Sequence, residues 1–105
     1  MSRHPAAELA DEINERMYQQ IPEDQRIRKE VAYGAFTHLA DAAHYTNNEV
    51  RIINARAVAN YYTITVKILS SGTRTRRAHE TFKSGNRSNV IRQALAWMEH
   101  YNSRK

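Results

Sequence analysis

The chain of 105 residues contains no cysteine. This absence excludes disulfide bonds, zinc sites built on thiolates and a cysteine nucleophile. No run of apolar residues approaches the length of a membrane span. The first residues lead into an acidic amphipathic segment, and they lack the apolar stretch of a secretory signal. We therefore expect a cytoplasmic protein that does not associate with a membrane.

Recognisable catalytic and metal-binding motifs are also missing. The sequence has no Gly-x-Ser-x-Gly motif and no paired carboxylates in its second half. Its five histidines show neither His-x-x-x-His nor His-Glu-x-x-His spacing. Arg77, His79 and Glu80 include the residue types of a nuclease site, but neighbouring strand residues point to opposite faces. We expect a protein that is not an enzyme and that holds no metal or cofactor.

Acidic residues are scarce in the second half of the chain. Residues 1–48 carry a formal charge of −3, whereas residues 49–105 carry +8. Such an asymmetry favours an anionic partner for the basic half. It also fits an attraction between the two halves, either within one fold or across a dimer.

The most regular segment is a predicted β-hairpin. Residues 61–69 alternate between apolar and polar side chains, which predicts a half-buried strand. Residues 70–72 have the composition of a turn, in which Gly72 supplies a positive φ without steric cost. Residues 73–82 then return as the antiparallel partner. On this second strand, Arg74 and Arg76 are expected on the side of Ala78, and Arg77 on the opposite side.

Helices are predicted at both ends of the chain. Residues 5–20 carry an apolar stripe with a four-residue repeat, and Pro5 suits a first helical position. A second helix is predicted from Pro22 to about His44, because apolar residues again recur every four positions. These residues are Ile27, Val31, Ala35 and Leu39. A last helix is expected from Ser88, as its N-cap, to about residue 101.

Residues 49–60 allow two interpretations. Val50 and Ile52 alternate as in a strand, whereas Val50, Ile53 and Ala57 also fit a short helix capped by Asn47 or Asn48. We favour a strand at 50–58. Residues 1–105 are then a single small α+β domain of order α-α-β-β-β-α, with two N-terminal helices, a three-stranded antiparallel sheet and a C-terminal helix packed on that sheet. The other sheet face would be free.

A cluster of cations on the hairpin and at the start of the last helix is the main indication of function. Phosphates attract such clusters through charge and counterion release, arginine binds them with two hydrogen bonds, and tyrosine adds a stacking surface. The predicted nucleic-acid contacts are Tyr61, Lys67, Arg74, Arg76, Arg77, Lys83, Arg87 and Arg92. The same charges also suit a solvated edge strand or an acidic protein surface. The sequence does not separate DNA from RNA.

The loop at residues 83–88 precedes a predicted helix start. Its backbone N–H groups and two cations would suit one phosphate, although the spacing is not that of a P-loop. A plain strand-to-helix turn with an N-cap is the favoured interpretation.

Residues 61–101, a strand pair with a basic loop leading into the final helix, are similar in architecture to the double-stranded-RNA-binding domain. The Gly-Pro-x-His loop of that family is missing, and only Arg87 and Arg92 replace its Lys-Lys-x-Ala-Lys helix start. Membership is therefore not predicted.

The alternative function is that of a protein inhibitor or adaptor. The size and the absence of cysteine resemble small phage and plasmid proteins, including anti-CRISPR and anti-restriction inhibitors, which dock on a host protein or nucleoprotein complex. A homodimer through the N-terminal helices is compatible with both functions.

Overall fold

The computed structural model describes residues 5–33, 39–58 and 60–103. Along the sequence of these residues, one helix precedes five strands and a second helix follows them. The elements are α1 (Pro5–Gln19), a 3-10 turn (Glu23–Gln25), β1 (Arg26–Tyr33), β2 (Leu39–Thr46), β3 (Glu49–Val58), β4 (Tyr61–Ser70), β5 (Arg76–Ser84) and α2 (Arg87–Ser103). Neither helix of this described part is long and apolar enough to cross a membrane.

The five strands form one antiparallel sheet in the order of the sequence, β1-β2-β3-β4-β5. Both helices pack on the same face of this sheet, α1 mainly over β2 and β3, and α2 over β4 and β5. The opposite face carries no helix among the described residues. The protein is thus a two-layer α+β structure with β1 and β5 at the edges of the sheet.

The core lies between the helices and the sheet. The apolar stripe of α1 meets the inward side chains of β3 and β4, and α2 closes the other half. Core side chains that are at most 2% exposed include Leu9, Ile13, Met17, Ile53, Ile64, Val66, Ile68, Ile91 and Met98. The strict alternation of β4 is thereby explained, because every second residue of a strand points to the same face.

The predicted order α-α-β-β-β-α, with two N-terminal helices and a three-stranded sheet, is wrong. The segment expected to form the second helix contains the 3-10 turn, β1 and β2, while residues 34–38 lie outside the described residues. The physical reason is the repeat itself. A spacing of four residues is even, so Ile27 and Val31 fit one face of a strand as well as one stripe of a helix.

Pairing with β3 decides between these two options. Ala42 of β2 lies opposite Ile53 of β3 and is 1% exposed in the core. A small side chain at this position lets α1 approach the sheet closely. The alanine-rich composition, which favours a helix locally, is a weak preference that tertiary packing overrides.

The remaining elements agree better with the sequence. Both terminal helices, the strand at 50–58 and the packing of the C-terminal helix on the sheet are confirmed. The N-cap of α2 is Asn86 and not Ser88, since the Asn86 side-chain oxygen accepts the N–H of Asn89 at 2.9 Å. In the β4–β5 turn the positive φ of 60° belongs to Arg74, whereas Gly72 has none.

Candidate nucleic-acid interface

The sheet face opposite the helices is called the open face below. Its residues follow from the registers of the four strand pairs, because directly opposed residues share a face. They are Arg28, Glu30 and Ala32 on β1; Asp41, Ala43 and Tyr45 on β2; Val50, Ile52, Asn54, Arg56 and Val58 on β3; Tyr61, Thr63, Thr65, Lys67 and Leu69 on β4; and Arg76, His79, Thr81 and Lys83 on β5.

Charge is unevenly distributed over the open face. The two acidic residues, Glu30 and Asp41, lie on β1 and β2, whereas β3, β4 and β5 carry only cations and neutral residues there. We call the four cations on these three strands the basic sheet surface. They are Arg56, Lys67, Arg76 and Lys83, and all four side chains are exposed.

The spacing within the basic sheet surface follows from the register. Arg56 and Lys83 both lie opposite Thr63, on either side of it, so their Cα atoms are about 10 Å apart. Lys67 lies four residues further along β4 than Thr63, a distance of roughly 13 Å. The four cations are therefore spread over a length of the sheet that several nucleotides of an extended strand would cover.

Tyr61 and Lys83, both predicted contacts, are brought together. The Lys83 ammonium lies 4.2 Å from the centroid of the Tyr61 ring, which is a cation–π contact. Tyr61 is half-buried and so retains accessible ring surface. Charge and a stacking surface are thus adjacent at one end of the basic sheet surface.

A β-bulge at the start of β5 reverses the expected positions of two arginines. Arg76 lies opposite Leu69 and Ala78 lies opposite Ile68, so Arg77 is the extra residue between them. The Arg77 guanidinium lies 4.0 Å from the carboxylate of Glu49, on the helix side of the sheet. Arg76, expected on the core side, belongs to the open face, and Arg77 does not.

The two predicted contacts on α2 lie in the helix layer. Arg87 forms an ion pair with Glu12 of α1. The Arg92 guanidinium donates to the side-chain oxygen of Asn89 at 2.7 Å. The sheet separates both residues from the open face, so they cannot join Lys67 in one binding surface. The Arg87–Glu12 pair also shows attraction between the acidic and basic halves within the fold.

The loop before α2 is a capped helix start. The Ser84 hydroxyl accepts the backbone N–H of Asn86 at 3.0 Å and the side-chain N–H of Asn89 at 3.1 Å. Together with the Asn86 cap, these bonds use donors that a phosphate would otherwise contact. Arg74, the remaining predicted contact, is exposed in the β4–β5 turn, next to the end of the sheet.

The open face also contains a shallow depression of about 860 Å³. Its small side chains include Ala32 and Ala43, and Lys67 and Asn54 are among its lining residues. Asn54 donates to the carboxylate of Asp41 at 2.5 Å. This polar pair and Arg56 were not predicted. The alternation within residues 50–58 is the signal that places Asn54 and Arg56 on one face.

Under the helices lies a second polar cluster, which the sequence does not indicate. Glu49 is 1% exposed and accepts hydrogen bonds from Arg51 at 3.3 Å and from Tyr101 at 2.6 Å. Burial and the bond to Glu49 raise the pKa of Tyr101 to about 12. Burial, reinforced by the charges of Lys29 and Arg51, lowers the pKa of His44 to about 4. This cluster is enclosed and therefore supports the fold.

Within residues 5–33, 39–58 and 60–103, no group of three histidine or carboxylate side chains is placed to hold a metal ion. Comparison with protein-family models, curated proteins and solved structures gives no significant match to this chain. The geometry of the open face is therefore the main indication of function.

Proposed function

We propose that the protein binds nucleic acid, without catalysing a reaction, through the basic sheet surface. One observation carries this proposal. In the described part of the chain, none of its four cations forms an ion pair, although many other cations do. The paired cations are Arg16, Arg28, Lys29, Arg51, Arg77 and Arg87.

Seven described Lys and Arg side chains have no ion pair, and four of them lie on this one exposed surface, whereas Arg26, Arg74 and Arg92 lie elsewhere. Repulsion among neighbouring cations disfavours such an arrangement unless a counter-charge binds there. A chain of phosphates supplies that counter-charge and gains free energy from the release of its own counterions. The contacts would be made mainly to the backbone, which explains affinity without requiring a particular base sequence.

The surface favours single strands over duplexes. Among the described residues this sheet face bears neither a protruding helix nor a protruding two-stranded ribbon, which are the elements that enter a major groove. An extended single strand can instead lie across β3, β4 and β5, with one base stacked on Tyr61 and phosphates near Arg56 and Lys67. The threonine hydroxyls of β4 and β5 add hydrogen-bonding groups between the cations.

Fluorescence anisotropy with labelled single- and double-stranded DNA and RNA, across a salt series, tests this proposal. Binding of single strands at low salt that weakens in Lys67→Glu, but not in Arg92→Glu, is the expected result. Both variants replace a positive charge by a negative one. Lys67→Glu makes this change on the open face, and Arg92→Glu makes it in the helix layer. Equal losses in the two variants would overturn the assignment to the open face.

Absence of binding at low salt would overturn the nucleic-acid function itself. The same four unpaired cations would then suit an acidic protein surface, as in the inhibitor or adaptor alternative. A 1:1 protein complex that survives nuclease treatment and dissociates on Lys67→Glu would support that alternative.

A further inference from the structure

The exposed apolar side chains of the protein are concentrated on one strand. In the described residues, the large hydrophobic side chains that are exposed are Ile27 at 58%, Val31 at 37% and Tyr33 at 47%. All three belong to β1, which pairs with β2 on one side and with no described strand on the other. An edge strand with apolar side chains presents unpaired backbone groups to any further strand.

The two edges of the sheet differ in this respect. The opposite edge, β5, carries Arg76, Arg77, Glu80 and Lys83, and within the described residues it has no large hydrophobic side chain that is exposed. On β1, Arg26, Arg28 and Lys29 precede Glu30, and Arg28 and Glu30 lie two positions apart on the open face. Arg28 and Glu30 can therefore be matched by a strand that carries the same two residues in reverse order.

We propose that β1 pairs antiparallel with β1 of a second copy of this chain, about a two-fold axis at Lys29. In this register Arg28 lies opposite Glu30 of the second copy, on the open face, and the pair occurs twice by symmetry. Ile27, the extra residue of a β-bulge at the start of β1, comes nearest to Val31 of the second copy. Opposite charges and apolar pairs directly across two strands each stabilise the pairing.

The registers centred on Glu30 and on Val31 are less favourable. An axis at Glu30 would place this carboxylate against its own copy, and an axis at Val31 would leave Arg28 without Glu30 as its partner. At the chosen axis Lys29 meets its own copy, but each Lys29 ammonium is already ion-paired with Glu15 of α1 at 2.8 Å. The repulsion between the two lysines is thereby reduced.

The dimer would have a defined shape. Residues that pair in this register lie an even number of positions apart, so they point to the same face of the sheet. The dimer would therefore have one continuous sheet, with five strands from each copy, and both helix layers on the same side of it. The two α1 helices would lie beside the seam, and the two basic sheet surfaces would point in one direction. The proposal does not rest on nucleic-acid binding, although two joined surfaces would increase avidity.

Sedimentation equilibrium over a concentration series tests the dimer with two complementary variants. In a dimer of Arg28→Glu, the new carboxylate of each copy lies opposite Glu30 of the other copy. In a dimer of Glu30→Arg, the new arginine of each copy lies opposite Arg28 of the other copy. Each variant alone is expected to associate at least about tenfold more weakly than wild type. A 1:1 mixture of the two is expected to form a heterodimer, because the new carboxylates of one meet the arginines of the other.

Restoration by mixing isolates the contact between copies, since neither variant regains its own Arg28–Glu30 ion pair of 3.2 Å. The matched control is Arg76→Glu, which reverses an arginine on the other edge strand and is expected to leave association unchanged. A wild-type chain that remains monomeric at millimolar concentration overturns the proposal. Failure of the mixture to associate, or an equal effect of Arg76→Glu, overturns it as well.

Discussion

The hydroxyl of Tyr101, near the end of α2, donates a 2.6 Å hydrogen bond to the carboxylate of Glu49, the first residue of β3. Glu49 is 1% exposed and also accepts from Arg51, which is 4% exposed. The bond therefore joins residues 52 positions apart and satisfies a buried carboxylate. A buried charge that loses a partner is costly, whereas the intact pair adds little net stability.

We expect Tyr101→Phe to lower the free energy of unfolding by about 1–3 kcal/mol, because Glu49 keeps its burial but loses a donor. Urea denaturation measures this change, and Tyr61→Phe, which removes the hydroxyl of a half-buried tyrosine on the open face, is the matched control. Alkaline titration followed by tyrosine absorbance should show one phenol that ionises near pH 12 in the wild-type protein. An unchanged unfolding midpoint in Tyr101→Phe would contradict the role of this bond.

His44 should make stability depend on pH. Its pKa is lowered from 6.5 to about 4 in the folded state, so the unfolded chain binds the extra proton first as the pH falls. The free energy of unfolding is therefore unaffected by His44 above pH 6.5 and decreases between about pH 6.5 and pH 4. Below pH 4, His44 causes no further decrease. The total loss is on the order of 3 kcal/mol.

Replacement of His44 by phenylalanine should remove that part of the pH dependence. A phenylalanine ring keeps the stacking on Tyr18, whose ring centroid lies 5.6 Å from that of His44. The measurement is the difference in unfolding free energy between pH 7 and pH 4.5, compared with wild type. His79→Phe, on the exposed strand β5, should keep the wild-type difference. Equal behaviour of the two variants would show that His44 does not control it.

The β4–β5 turn offers a prediction about backbone conformation. Arg74 has a φ of 60°, a region that glycine enters without the steric cost of a Cβ atom. We expect Arg74→Gly to stabilise the protein by about 0.5–1 kcal/mol, after the greater entropy of glycine in the unfolded chain is subtracted. Thermal unfolding measures the shift.

Gly72→Ala is the counterpart. Its φ is not positive, and a Cβ atom placed there would have nothing within 4 Å. We therefore expect no loss of stability and a gain of up to about 1 kcal/mol. If the turn instead needed its left-handed residue at Gly72, this variant would be clearly destabilised and Arg74→Gly would bring no gain.

The salt dependence of nucleic-acid affinity should give the number of phosphates that the basic sheet surface contacts. Replacing both Arg56 and Lys67 by glutamine should reduce the slope of log affinity against log salt by about 1.4–1.8, since each lost contact contributes about 0.7–0.9. The control replaces Arg87 and Arg92 by glutamine, in the helix layer, and should leave the slope unchanged. The reverse ranking would move the contacts to α2.

Sequence patterns alone determined much of the architecture. The α+β class, the two terminal helices and the strands at 50–58 and 61–69 all follow from local periodicity, because core residues such as Ile64 and Val66 must recur on one face. Of the predicted contacts, Tyr61, Lys67, Arg76 and Lys83 do lie on the open face. Their contact with nucleic acid stays a prediction.

Only the tertiary structure decided the rest. The even spacing of Ile27 and Val31 satisfies a helix and a strand equally, and only pairing with β3 selects the strands. The bulge that exchanges Arg76 and Arg77 depends on how β5 aligns with β4. The bond between Glu49 and Tyr101 forms only where β3 and α2 come together, 52 positions apart in the sequence. Local periodicity records which residues are buried, whereas long-range pairing decides which surface the remaining charges form.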